Sequence, residues 1–140
     1  MSNGLGVIFD MDGVLVDSYA AHFKSWKKSA ARYGLGMTQS EFAVTFGRTS
    51  RDIIGYLWPG RFDDAELAAF DRAKEADYRD ILRAHLPVMP GAEELICSLH
   101  GAGFALAIGS SGPKENVAVP RYCPHRKYPE IREVPWNRSL

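Results

Sequence analysis

The chain carries near its start the segment Leu5-Gly6-Val7-Ile8-Phe9-Asp10-Met11-Asp12-Gly13, in which a short apolar run ends at two aspartates. The run is too short for a helix and is typical of a strand that is buried on both faces, as in a parallel sheet. Asp10 and Asp12 lie two positions apart, so both side chains can point the same way where the strand ends. Ligands of open α/β sheets bind beyond the carboxyl ends of the strands, so this position predicts a functional site.

Two carboxylates at one point can hold a divalent cation and act on phosphorus. Beside Mg²⁺, Asp10 could attack a phosphoryl group and form an aspartyl-phosphate. Asp12 could protonate the leaving oxygen and then deprotonate the attacking water. Mg²⁺ prefers oxygen ligands, which makes Asp10 and Asp12 the predicted metal ligands as well. A bare Asp-x-Asp pair is also typical of a solvated turn, so the surrounding sequence has to distinguish the two interpretations.

A second apolar run, residues 104–108, precedes the loop Gly109-Ser110-Ser111-Gly112. A hydroxyl and free backbone N–H groups ahead of a helix suit an anion such as phosphate. In isolation, a Ser-Ser-Gly loop predicts no more than a turn. Ser110 and Ser111 are therefore candidate phosphate-binding residues, with Ser111 a neighbour of the site rather than a catalyst.

The sequence between the two strands has helical character. Residues 17–87 show apolar residues at helical spacing, and capping signals begin three of the predicted helices, at Thr38, Thr49 and Asp63. The order strand, helical insertion, helix, strand, loop, helix predicts an α/β core with a parallel sheet over 1–16 and 88–118, and a helical cap over 17–87. Residues 119–140 combine prolines and basic residues without a period, which predicts an irregular tail.

The segment 10–18 resembles the first motif of the haloacid dehalogenase superfamily of phosphatases and phosphomutases. The resemblance implies that Asp10 is the nucleophile and that Asp12 is the general acid/base and a Mg²⁺ ligand through its backbone carbonyl. The loop at Ser110 is similar to the second motif of that family, whose Ser or Thr hydrogen-bonds the phosphate. The resemblance covers roughly residues 5–117 and implies a Rossmann-like parallel-sheet core with an inserted helical cap.

The insertion resembles the small helical cap of the β-phosphoglucomutase and phosphoglycolate phosphatase branch. A histidine at the position of His22 can assist the acid/base aspartate in that branch, although His22 also suits a polar place on a surface helix. The segment that begins with Gly47 resembles the cap loop that faces the substrate. Arg48 or Arg51 could therefore bind a distal anionic or sugar group, and a solvated surface position is the alternative for either arginine.

The third and fourth motifs of the family are not recognisable in the sequence. These motifs supply a lysine that neutralises the phosphate and an acidic pair that completes the Mg²⁺ site after a later strand. With only two core strands predicted, the nucleophile strand would form an open sheet edge and favour self-association. The abrupt change of sequence near Ala118 favours a truncated or frame-shifted chain, and hence a core that is incomplete at its C-terminal side.

The bulk composition limits the classes of partner. Seventeen basic and seventeen acidic residues cancel, so no net field favours nucleic acid or a membrane surface. The start of the chain has no basic segment, and its apolar run is too short for a signal peptide or a membrane span. These features predict a cytoplasmic location. Cys97 and Cys123 match no metal-binding spacing.

Three functional hypotheses follow from these features. The first is Mg²⁺-dependent hydrolysis of a small phosphate monoester through an aspartyl-phosphate, with a small phosphorylated metabolite as the expected partner. The second is a sugar-phosphate mutase, which His22 and its surroundings suggest. The third is an inactive truncated protein, which the missing lysine and acidic pair favour. The sequence leaves open whether this chain is itself a competent enzyme.

Overall fold

The computed structural model describes residues 4–118 and the backbone of residues 132–135. In chain order the elements are β1 (Gly6–Phe9), α1 (Tyr19–Ala31), α2 (Gln39–Thr45), α3 (Ser50–Leu57), α4 (Asp64–Ala84), α5 (Ala92–Gly101), β2 (Ala105–Ser110), α6 (Lys114–Val117) and β3 (Arg132–Pro135). The chain divides into two compact units: the first contains the described residues outside 20–81, and the second contains residues 20–81. The predicted boundaries of the core, the cap and the tail remain predictions.

The first unit is built on a parallel sheet of order β1-β2-β3. Gly6 lies opposite Ala105 and Phe9 lies opposite Ile108, so the carboxyl ends of β1 and β2 meet at one edge of the sheet. Buried apolar side chains from both strands and from α5 form the core of this unit, among them Phe9, Leu106, Ile108 and Ile96. The prediction of an α/β fold with a parallel sheet is confirmed.

One part of the tail differs from its prediction. Residues 132–135 form β3, which pairs in parallel with β2, so the expectation of irregular structure was wrong for these residues. Backbone hydrogen bonds to a neighbouring strand can hold a short strand whose own sequence has no alternating pattern. Residues 119–131 and 136–140, the rest of the predicted tail, lie outside the described residues.

The second unit contains α1, α2, α3 and most of α4, which enclose a cluster of aromatic rings. Phe70 is fully buried at its centre. Its ring centroid lies 5.4 Å from those of Trp26 and Tyr33, 5.5 Å from that of Phe62 and 5.8 Å from that of Trp58. Aromatic pairs at such distances add to the free energy gained from burial alone.

The capping signals at the starts of three helices are confirmed. The N–H of Glu41 donates to Oγ1 of Thr38 at 3.2 Å, and the N–H of Thr38 donates to Oε2 of Glu41 at 2.7 Å, which closes a capping box. Oγ1 of Thr49 and the carboxylate of Asp63 accept equivalent backbone bonds at α3 and α4. Interactions within a few residues therefore set these helix starts, independently of tertiary packing.

A buried carboxylate joins α1 to α4 within the second unit. Asp77 is only 4% exposed. Its Oδ1 accepts hydrogen bonds from Nη2 of Arg32 at 2.9 Å and from Nζ of Lys28 at 2.7 Å, and its Oδ2 accepts one from Oγ of Ser29 at 3.2 Å. Burial by itself would raise the pKa of Asp77, but the bonds and charges of Arg32 and Lys28 outweigh that effect and hold the pKa below its ordinary value of 3.8.

We expect Asp77→Asn to lower the free energy of unfolding by about 1–3 kcal/mol, because it removes a buried charge whose partners are partly solvated. Urea denaturation followed by circular dichroism measures this loss. Asp64→Asn is the matched control, because the Asp64 side chain is 86% exposed, and we expect it to change stability by less than about 0.5 kcal/mol.

The same network predicts the direction of the pH dependence. A carboxyl group whose pKa is lowered by folding stabilises the folded state above its unfolded pKa, and this contribution disappears as the pH falls through the folded pKa. The wild type should therefore lose more stability than Asp77→Asn between about pH 6 and about pH 2. Parallel stability curves for the two proteins over that range would contradict the prediction.

Candidate active site

The segment after β1 folds into a tight turn around Met11. Met11 is fully buried, and its carbonyl oxygen accepts the N–H of Val16 at 3.0 Å. Gly13 donates its N–H to the carbonyl of Val16 at 2.8 Å and has a φ of +76°, a left-handed conformation that strains other residues. The turn thus anchors the residue between Asp10 and Asp12 in the core and leaves the aspartates at the end of the strand.

The two aspartates differ in exposure. Asp10 is exposed and Asp12 is partly buried. Oδ1 of Asp10 accepts the N–H of Met11 at 2.7 Å, which orients the carboxylate against the backbone of the turn. A carboxylate that is held in one orientation needs less reorganisation when it attacks or ligates. The strand and the buried Met11 therefore give Asp10 a defined position at the edge of the sheet.

Ser110 lies at the same edge, on the neighbouring strand. Phe9 pairs with Ile108. Asp10 comes one residue after Phe9, and Ser110 comes two residues after Ile108. Oγ of Ser110 accepts the N–H of Gly112 at 3.2 Å. A Cβ atom at Gly112 would lie 3.4 Å from Oγ of Ser110 and 3.5 Å from Nδ2 of Asn116, so these groups converge on one small region. Ser111 is exposed beside it.

The acidic pair fits a magnesium ion by the nature of its donors. Mg²⁺ is commonly held by one or two carboxylates, with waters and substrate phosphate oxygens as the remaining ligands. Asp10 can supply a carboxylate oxygen and Asp12 a backbone carbonyl oxygen to such an ion. Within residues 4–118, no group of three His, Cys, Asp or Glu side chains forms a metal cluster. The described residues therefore offer oxygen ligands of the right kind without a complete protein cage.

His22, in the second unit, is held from two sides. Its ring stacks on Tyr78 with a centroid distance of 4.0 Å and an interplanar angle of 4°. Its Nδ1 lies 3.3 Å from Nζ of Lys74, a lysine that is 4% exposed and also bonds Oε1 of Glu75 at 2.6 Å. The stacking on Tyr78 and the contact with Lys74 together fix the orientation of the His22 ring.

The two arginines of the predicted cap loop have partners within the second unit. Gly47 precedes them with a φ of +86°. The guanidinium of Arg48 lies 5.6 Å from the centroid of the exposed Tyr56 ring, a cation–π arrangement. Nη2 of Arg51 lies 2.9 Å from Oδ1 of Asp64, and both side chains are largely exposed. The roles proposed for these residues and for His22 stay predictions.

Two residues near the candidate groups carry no signal in the sequence. Lys74 is one of many charged residues of α4, and only the three-dimensional contact with His22 distinguishes it. Asn116 follows the Ser110 loop by a few residues, and only its burial to 4% exposure indicates a structural task beside that loop. Both contacts depend on packing, which residue type and spacing do not reveal.

The comparisons with known proteins agree on one family. The family model of haloacid dehalogenase-like hydrolases matches residues 7–120. Hexitol phosphatase A of Escherichia coli is 30% identical over 107 residues, which cover 76% of this chain and 48% of that protein. β-Phosphoglucomutase of Bacillus subtilis is 25% identical over 114 residues, which cover 75% of this chain and 50% of that protein. The chain spans about half the length of the curated relatives that it matches.

A solved structure supports the same assignment of the fold. A HAD hydrolase of family IA, variant 3, from Entamoeba histolytica superimposes with a TM-score of 0.77 at 25% sequence identity, covering 92% of this chain and 60% of that one.

A separate finding concerns membranes: across the part of the chain that the structure describes, no helix is both long enough and apolar enough to span a bilayer.

We expect Gly13→Ala to destabilise the protein by about 1 kcal/mol, because alanine is strained at the left-handed φ of Gly13. Beyond the adjacent residues, no atom lies within 4 Å of the place that the new methyl group would occupy, so the effect isolates backbone strain from steric overlap. Gly36→Ala is the control, because its site is equally open but lacks the positive φ. Equal effects of the two substitutions in urea denaturation would show that the turn does not require glycine.

Proposed function

The chain belongs to the haloacid dehalogenase-like hydrolases, and on that premise we propose that the protein is a Mg²⁺-dependent phosphatase of small phosphate monoesters. The observation that carries the proposal is the meeting of Asp10, Asp12 and Ser110 at the carboxyl edge of β1 and β2. This edge combines a nucleophile, an acid/base group and a phosphate-binding hydroxyl, which together suffice to outline a two-step phosphoryl transfer.

In the first step a carboxylate oxygen of Asp10 forms a bond to phosphorus while the bond to the leaving oxygen breaks. Asp12 gives a proton to that oxygen, which leaves as an alcohol. In the second step Asp12 takes a proton from a water molecule whose oxygen forms a bond to phosphorus while the bond from Asp10 to phosphorus breaks, so that inorganic phosphate is released and the Asp10 carboxylate is restored. Ser110 and the backbone N–H groups that follow it bind the phosphoryl oxygens. Mg²⁺ held by Asp10 and Asp12 would reduce the repulsion between carboxylate and phosphate.

The proposed substrates are phosphorylated sugars or polyols. The names of the relatives, a hexitol phosphatase and a β-phosphoglucomutase, support this class. The guanidinium of Arg48 lies 5.6 Å from the centroid of the exposed Tyr56 ring, and a charge beside an aromatic ring suits a polyhydroxyl or anionic group. Arg51 forms an ion pair with Asp64 and would have to exchange that partner for a ligand.

A cytoplasmic location of the protein is also part of the proposal.

We expect the purified chain to release phosphate from small sugar and polyol phosphates with Mg²⁺ and to lose this activity with a chelator. Asp10→Asn should lower kcat/KM by on the order of 10³-fold or more, because the amide is a far weaker nucleophile. Glu94→Gln is the control, since Glu94 is an exposed carboxylate of α5 in the same unit. Turnover that survives Asp10→Asn would overturn the proposed nucleophile.

A second candidate is a sugar-phosphate mutase, which the environment of His22 favours. A ring that is fixed between Tyr78 and the buried Lys74 suits a positioned acid/base partner better than a solvated surface residue. A mutase would move phosphate between positions of the sugar and release little free phosphate. Product analysis by ³¹P NMR separates the two reactions, and His22→Asn should impair the transfer more than hydrolysis.

The remaining candidate is a protein without catalytic activity. The carboxylates of Asp10 and Asp12 repel a phosphate dianion unless cations balance the charge, and the sequence offers no recognisable lysine motif or second acidic pair for that task. Each lost electrostatic contact of this kind commonly costs about 10²-fold to 10³-fold in rate. If the folded chain turns over no phosphate ester in the presence of Mg²⁺, the phosphatase and mutase hypotheses are eliminated and the inactive protein remains.

A further inference from the structure

The hydroxyl of Ser110 is restrained by its own loop. Its Oγ accepts the N–H of Gly112 at 3.2 Å. A serine hydroxyl has one proton to donate and two lone pairs with which to accept. Because the Gly112 N–H occupies one lone pair, the proton of the hydroxyl has to point away from that amide. The loop therefore restricts a group that would otherwise turn its proton to any nearby acceptor.

Asn116 approaches the same loop from the short helix α6, which contacts β2. Asn116 and Val117 are 4% and 5% exposed, so this helix is seated against its own unit and not in solvent. The backbone N–H of Asn116 donates to the carbonyl of Pro113 at 2.9 Å, which closes the turn that carries the side chain. Buried polar side chains are normally hydrogen-bonded, so the amide of Asn116 has a defined orientation.

Gly112 lies where the serine hydroxyl and the asparagine amide come together. A Cβ atom built on Gly112 would lie 3.4 Å from Oγ of Ser110 and 3.5 Å from Nδ2 of Asn116. Gly112 does not have a positive φ, so its backbone conformation does not require glycine. The absence of a side chain therefore matters for a different reason: it lets both groups pack against residue 112 without crowding.

We propose that Gly112 and Asn116 are positioning residues, which set the Ser110 hydroxyl as a hydrogen-bond donor to the phosphoryl group. This inference rests on the proposed function, in which Ser110 binds the phosphoryl oxygens. The Gly112 N–H restrains the hydroxyl directly, and the buried side chain of Asn116 restrains Gly112 from its other side. Neither residue has to touch the substrate.

The chemistry of the edge explains why the hydroxyl has to be oriented in advance. Ionised phosphoryl oxygens only accept hydrogen bonds, so Ser110 has to act as the donor. The carboxylate of Asp10 belongs to the same edge of the sheet and is a competing acceptor for the hydroxyl proton. A donor that already points to the phosphoryl site needs no reorganisation when charge develops there.

A double-mutant cycle on phosphate release tests the proposal. Ser110→Ala should lower kcat/KM by on the order of 100-fold, because it removes one donor to the phosphoryl group. Asn116→Ala should lower kcat/KM by on the order of 10-fold in the wild type, but by less than about 2-fold when residue 110 is already alanine. Effects that multiply would overturn the proposal, since Asn116 would then act independently of Ser110.

The matched control is Glu115→Gln, which changes the exposed neighbour of Asn116 on α6. It should leave kcat/KM unchanged in both backgrounds. Urea denaturation of every variant gives the folded fraction, to which the rates are normalised, so that a loss of stability is not counted as a loss of positioning.

Gly112→Ala tests the same contact without removing a buried amide. The new methyl group crowds Oγ of Ser110 but does not strain the backbone, so kcat/KM should fall by on the order of 5-fold. The effect should disappear in the Ser110→Ala background, because the crowded atom is gone. Gly101→Ala is the control, since Gly101 also lacks a positive φ and has no atom within 4 Å of the added methyl group.

Heteronuclear NMR separates failure of this inference from failure of the proposed function. Ser110→Ala should move the Gly112 amide resonance and speed its exchange with solvent, and Asn116→Ala should move the same resonance. An unchanged Gly112 amide in either variant would overturn the inference, whether or not the chain is active. If the amide responds but the wild type neither hydrolyses phosphate esters nor binds inorganic phosphate with Mg²⁺, the proposed function fails, and the role in phosphoryl binding is overturned with it.

Discussion

The parallel pairing of β1 with β2 is the constraint on which the candidate site depends. Asp10 and Ser110 are separated by most of the chain, and only the register that sets Phe9 opposite Ile108 brings them to one edge of the sheet. Such a non-local pairing carries a large loop-closure entropy, which apolar burial by the two strands and α5 has to offset. The helical insertion occupies the intervening sequence without interrupting the pairing. The backbone register therefore positions the candidate site residues of the two strands relative to one another.

A second constraint acts at the end of β1, where the chain has to leave the sheet without burying a carboxylate. The alternation of side chains resolves this problem, because the buried residue of the segment is Met11 and the aspartates on either side of it remain accessible. The left-handed Gly13 then reverses the chain within a few residues. A longer or looser turn would hold Asp12 less rigidly, and catalytic groups lose much of their effect when misplaced by about 1 Å.

The features that the sequence predicts well are those set by local interactions. The apolar runs of β1 and β2, the capping box at Thr38 and the helical insertion each have a physical cause within a few residues. The sequence does not predict contacts between residues that are far apart along the chain. β3 is held by backbone pairing to β2, and the burial of Lys74 and Asp77 depends on the packing of α4 against α1. No periodicity distinguishes such residues from the solvated charges beside them.

The same strand links the stability of the fold to the precision of the site. A strand that is paired along one edge opens more readily than one that is paired along both, because fewer hydrogen bonds and apolar contacts resist local unfolding. Within residues 4–118 and 132–135, β1 is paired along one edge only and Asp10 follows it directly, so opening of β1 would displace the proposed nucleophile from Ser110.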